Sequence, residues 1–244
     1  MRALLSLLTL AALAPVPTAA RADGLIYKLP GDGTRVVYDL KFTRHKSGSP
    51  GDKRMVTGTL SVAAVGTKKV DGADCRWIEF TMKMSFEGRE RNVAYKLLLP
   101  KSDLGKGKYP LSNVKQAWTK QRDRVRQMTD ASAREGGPLP SFLPNPLKDV
   151  KVAKPTVIET GAGKITAKTL TGKTEYEQGD ATRTDKFTVD YEMQLADKTP
   201  FGVAGGKMTI KEYRDRTKLD DIIVVTLKLK SIDMKAKSGI PDKN

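Results

Sequence analysis

A single cysteine, Cys75, and a single histidine, His45, remove most site chemistry at once. One thiol forms no internal disulfide. A zinc centre or a nucleophile–histidine–carboxylate triad needs partners that one Cys and one His do not supply. Cys75 has only Arg76 beside it to favour the thiolate, so a passive, partly covered side chain is expected. His45 stands between Arg44 and Lys46 and reads as an exposed loop residue. Neither G-x-S-x-G nor H-E-x-x-H occurs. Gly206-Lys207 imitates the end of a phosphate loop, but Met208 replaces the magnesium-binding hydroxyl and Phe201 stands where the first glycine belongs. N-x-Ser/Thr acceptors are also missing.

Carboxylate pairs are the remaining route to catalysis, because glycoside chemistry needs only two. Asp71 with Asp74, Glu175 with Glu177, and Asp220 with Asp221 qualify by spacing. Each pair lies at a turn or on an exposed strand face, where turn chemistry and solubility account for it. Asp71 and Asp74 fall short of the ligand count of an EF-hand loop. The expectation is therefore a protein that is not an enzyme, with no catalytic residue, no metal and no cofactor.

Long apolar runs are scarce too, with one exception at the start. Met1-Arg2 is followed by an apolar stretch from Ala3 to Leu13, then Pro15, Pro17 and the small residues of Ala20-Arg21-Ala22. This is the layout of a secretory signal peptide over residues 1–22, cleaved after Ala22. The run is about half the ~20 residues of a membrane crossing. No cysteine lies near the cleavage site, which excludes a lipid anchor there. Ile222 to Leu229, the greasiest later stretch, is only of strand length. A soluble, exported chain, periplasmic or secreted, is expected, with a single β-rich domain over 23–234 and a frayed polar tail over 235–244.

Acidic residues are in deficit. Against 44 Lys and Arg stand 28 Asp and Glu, a net +16 that becomes +14 once Arg2 and Arg21 leave with the signal. Such a balance favours acidic envelope polymers or an anionic membrane surface as partners, and it also serves solubility. The lysines are spread along the chain rather than clustered, which favours solubility, and nucleic acid is the less favoured polyanion.

What is present in strength is alternation. Ile78, Phe80, Met82, Met84 and Phe86 recur at every second position, Glu87-Gly88 interrupts, and Val93, Tyr95, Leu97 and Leu99 resume the pattern. A period of two sends them to one face of a hairpin. Val36, Tyr38, Leu40 and Phe42 form a second such run, and Phe187, Val189, Tyr191, Met193 and Leu195 a third. Residues 46–53 read as a flexible loop. The fold class is mainly β: a curved antiparallel sheet or half-barrel, built as meanders joined by short turns.

One stretch changes period. Val114, Ala117, Trp118, Gln121, Val125 and Met128 fall within a sector of roughly 100° on a helical wheel, with Lys115, Arg122 and Arg126 along one flank. The spacing predicts one amphipathic helix covering the sheet, with Trp118 packed on Phe80, Met82, Tyr95 or Leu97. Such a helix could alternatively lie on anionic lipid. Gly136-Gly137-Pro138 ends the helical stretch, and Pro140, Pro144 and Pro146 then make a stiff Pro-rich loop carrying Leu139, Phe142, Leu143 and Leu147 as apolar pegs.

With these elements in view, the chain resembles in layout exported bacterial half-barrels of the lipoprotein-carrier type. It is also similar to uncharacterised secreted bacterial proteins that carry a Thr-Pro-Phe-Gly-Val strand lead-in, here Thr199 to Val203. The resemblance implies a sheet holding a lipid or other apolar ligand against Phe80, Met82, Tyr95, Trp118, Phe187 and Tyr191. It supplies no catalytic motif, and in a dry core the same residues simply pack. Two functions follow: a non-enzymatic exported envelope protein binding an apolar or lipid-like ligand in a β half-barrel, or a structural or adhesion module engaging acidic envelope polymers through Lys115, Arg122 and Arg126.

Overall fold

All three alternations become strands facing as their periods require. β1 (Thr34–Lys46) buries Val36, Tyr38 and Leu40. The long hairpin is β3 (Ala73–Phe86) with β4 (Arg89–Pro100), in a register that sets Phe80 opposite Tyr95. β10 (Thr184–Leu195) buries Val189, Tyr191 and Met193. The computed structural model describes residues 24–86, 88–104, 108–129, 132–133, 139–144, 146–179 and 184–241, and the expected signal over residues 1–22 lies outside them.

The other strands are β2 (Ser49–Val70), β5 (Gln116–Gln121), β6 (Arg124–Gln127), β7 (Lys148–Val152), β8 (Thr156–Thr160), β9 (Gly163–Gly179), β11 (Val203–Arg214) and β12 (Lys218–Asp233). They form one curved, unclosed antiparallel sheet in the order β6-β5-β4-β3-β2-β1-β12-β11-β10-β9-β7, with β8 folded back on β9. Each half of the chain is a meander running between the centre and one edge. The first and last strands, β1 and β12, join the halves by pairing from Arg35 opposite Asp233 to Lys46 opposite Asp221.

Bending so long a ribbon requires close backbone approach, and Gly58 supplies one such point. A Cβ there would lie 2.0 Å from the Lys83 carbonyl oxygen on β3, so only glycine fits.

Two expectations about local structure are corrected. Residues 46–53 are not a flexible loop: Lys46 already pairs with Ser49, and the chain turns through Ser47 and Gly48, whose φ is +78°. His45 is consequently a half-buried strand residue opposite Ile222. The larger correction concerns 114–128, which is not a helix but the β5–β6 hairpin. β4 would otherwise end the sheet with unpaired N–H and C=O groups, and pairing Val93 to Leu98 with Gln116 to Gln121 satisfies them. The turn between β5 and β6 places Arg122 at φ +54°, without the Asn-Gly or Asp-Gly signal that normally announces such a hairpin.

In place of a covering helix, irregular segments fill the inner face. Leu25 and Ile26, Leu104, Leu111 and Val114, and the pegs Leu139, Phe142, Leu143 and Leu147 all join the core cluster of the strands. The Pro-rich segment thus does what its pegs suggest, from a single helical turn, α1 (Leu139–Phe142). Among the described residues no helix is long and apolar enough to cross a membrane.

Candidate functional site

The six residues expected to hold an apolar ligand do not converge on an open cavity. Phe80, Met82, Tyr95 and Tyr191 belong to the core cluster at 1%, 4%, 9% and 2% exposure, and Phe187 packs partly buried against it. Phe187 stacks on Tyr176, with ring centroids 5.0 Å apart. Tyr191 donates from its hydroxyl to the Ser141 carbonyl at 2.8 Å, while the Tyr176 and Ser141 hydroxyls bond at 2.9 Å. These tyrosines pin α1 beneath the sheet. Burial raises both phenols above their ordinary pKa, so they remain neutral hydrogen-bonding groups.

Trp118 is the exception among the six, and its expected packing on Phe80, Met82, Tyr95 or Leu97 is wrong. The register puts it opposite Lys96, hence on the outer face, where it is half-buried against Cys75, Trp77 and Leu98. Cys75 is fully buried in that cluster, and burial pushes its thiol above the ordinary pKa, so it is passive.

The C-terminal segment lies on the same outer face, bonded to Glu79 and Lys96. The tail does not fray through residue 241: Ile240 is fully buried and Ala236 nearly so. Glu79 and Lys96, opposite one another in the β3–β4 register, are 4% and 1% exposed. The Glu79 carboxylate accepts hydrogen bonds from the Gly239 and Ile240 amides, at 3.0 and 3.3 Å, and from the Ser238 hydroxyl at 2.8 Å. Lys96 donates to the Ile240 carbonyl at 2.9 Å, and its ammonium lies 4.9 Å from the Trp77 ring centre. Alternation with Phe80 and Tyr95 turns both charges to the sheet's opposite, outer face. The tail supplies the partners that make their burial tolerable.

Beside this strap runs an outer-face groove of about 350 Å³, floored by Thr59, Ser61, Thr81 and Asn92 and flanked by Arg35, Lys83, Lys120 and Arg122. Its one carboxylate, Glu79, is engaged by the tail. Successive strands bring the floor together: Ser61 pairs with Thr81 across β2–β3, Thr59 with Lys83, and Lys83 with Asn92 across β3–β4. Arg35 and Lys120 donate to the tail carbonyls of Lys237 and Gly239, which fixes their positions. Hydroxyls and an amide below four cations, two of them held by the tail, suit an anionic, hydroxyl-rich ligand.

A second outer-face cleft, about 630 Å³, contains Asp149, Asp190 and Glu192 but also Lys151, Lys173 and Lys207. Asp190 pairs across strands with Lys173 and Glu192 with Lys207, so its charges offset one another.

Of the three cations expected to bind polyanions, only Arg122 lines the groove. Lys115 lies 3.7 Å from Asp71. Arg126 pairs with Thr119 and so points to the sheet's other face, exposed. A helical wheel grouped the three on one flank, and a hairpin separates them. Arg35, Lys83 and Lys120 escaped the sequence because only strand order brings them together. The polar side of each alternating run was the available signal.

No family model matches the sequence, and no curated protein does either. Solved structures similar to the chain include a Bacteroides fragilis protein taken to be exported, with a YmcC-like fold. It is 9% identical, the likeness covers 86% of this chain and 99% of that one, and the TM-score is 0.32. A Parabacteroides distasonis protein taken to be a lipoprotein is 10% identical, with 86% and 100% covered and a TM-score of 0.32. A likeness at that score carries nothing over to this chain.

Proposed function

We propose that this is a non-enzymatic exported protein that engages acidic, hydroxyl-bearing envelope polymers through the outer-face groove. One observation carries the choice. The polar groove holds four cations over hydroxyls and an amide, whereas the inner face that would receive an apolar ligand is packed with the protein's own pegs. The net +14 of the chain without Arg2 and Arg21 adds long-range attraction toward an anionic surface.

Retention on a heparin-like or polyuronate matrix should weaken steeply as salt rises, because exposed cations are screened within a Debye length of about 10 Å at 0.1 M. Lys83→Gln combined with Arg122→Gln should lower the eluting salt concentration clearly and leave the melting temperature unchanged, since neither side chain holds the tail. Equal retention of this variant and the parent would sink the groove as the binding surface.

Export rests on the leader. Secreted material should begin at Asp23, as N-terminal sequencing would establish, and a mature chain retaining residues 1–13 would contradict it.

A further inference from the structure

The hairpin joining β11 to β12 holds a cluster that the groove does not use. Glu212 on β11 stands directly opposite Asp221 on β12, beside a bulge that follows Glu212, with Asp220 adjacent. One carboxylate oxygen from each of the three lies within 4.8 Å of the others. Like charges directly opposite one another in a sheet repel, and here the repulsion is poorly screened. Asp221 is only 1% exposed.

Arginines answer part of this charge. Arg44 pairs with Oδ2 of Asp221, and Arg214 reaches Oδ2 of Asp220 at 2.5 Å. Both guanidinium side chains are about half exposed, so they close the cluster from its solvent side. Lys46 pairs with Asp221 in the register but is exposed, and Asp185 adds a further negative charge near Glu212. After these pairings Oδ1 of Asp221 remains buried with no hydrogen-bond partner. A buried carboxylate oxygen left bare is costly, and a cation among its acidic neighbours would satisfy it.

We propose that Glu212, Asp220 and Asp221 form a weak divalent-cation site suited to calcium. The ligands are hard carboxylate oxygens without nitrogen or sulfur, the set that calcium accepts in irregular geometry with water completing its shell. Three carboxylates against two arginines leave the cluster net negative but do not fully neutralise a divalent cation, so the affinity should be that of extracellular modules, a Kd of about 10⁻⁴–10⁻³ M.

The test is calcium chloride titrated into the full-length protein, followed by calorimetry and thermal unfolding, with potassium chloride at matched ionic strength as control. Calcium at ten times its Kd should raise Tm by about 3–6 °C. Glu212→Gln should be at least as stable as the parent without calcium, since it relieves the repulsion, yet should lose the calcium shift. Asp220→Asn, at a quarter-exposed position, should also lose it. No binding heat and no shift at several millimolar calcium would overturn the site. So would a shift reproduced by potassium chloride, or one retained in both variants.

Discussion

Glu79→Ala should cost about 3–5 kcal/mol and release the C-terminal strap. The carboxylate is nearly buried, accepts hydrogen bonds from two tail amides and a tail hydroxyl, and faces Lys96 across the strand pair. Removing it leaves the Lys96 ammonium at 1% exposure, still donating to Ile240, without the acidic neighbour that shares its burial. One partner deleted from a buried charged set is among the most damaging single changes, because the other charge stays desolvated. Urea unfolding would read the loss. Limited proteolysis would read the strap, with cleavage within residues 234–241 appearing in the variant and not in the parent. A loss under 1 kcal/mol with the tail still protected would mean that the strap holds by Ile240 packing alone. Arg35 and Lys120 both lean on tail carbonyls, so the variant should also bind polyanions more weakly.

Phe142→Ala is the second large effect, and it separates the two uses of the inner face. Phe142 is 2% exposed, its carbonyl accepts from the Leu25 amide at 2.9 Å, and its neighbours Leu139 and Leu143 belong to the same core. If the segment is permanent core, truncation should destabilise by about 3–5 kcal/mol, the range for a buried aromatic. A displaceable lid over an apolar ligand site would behave differently: little loss of stability, and a gain in binding of a fluorescent fatty acid as the cavity opens. Paired denaturation and fatty-acid titration decide between them, and the second pattern would restore the carrier reading at the expense of the groove.

Much of this protein was legible from period two alone. Runs such as 36–42, 78–86 and 187–195 determine strand, inner face and mainly-β class together, because successive side chains on an extended backbone point opposite ways whatever surrounds them. The scarcity of Cys and His likewise excluded metal-thiolate and triad chemistry without reference to any fold. The segment 114–128 is instructive in failure. Its apolar residues fit a helical sector, but a short segment's conformation is decided by the strongest partner available, and the open edge of β4 supplied a full set of backbone hydrogen bonds. Tertiary structure alone decided the rest. The pairing of β1 with β12 spans nearly the whole chain, so no local pattern announces it. The burial of Glu79 and Lys96 depends on a tail more than 140 residues away in sequence. The groove takes its four cations from three separate segments, β1, β3 and the β5–β6 hairpin, that only strand order makes neighbours. Local sequence determines which way a side chain points from its strand; what it then meets is set by contacts between residues far apart in the chain.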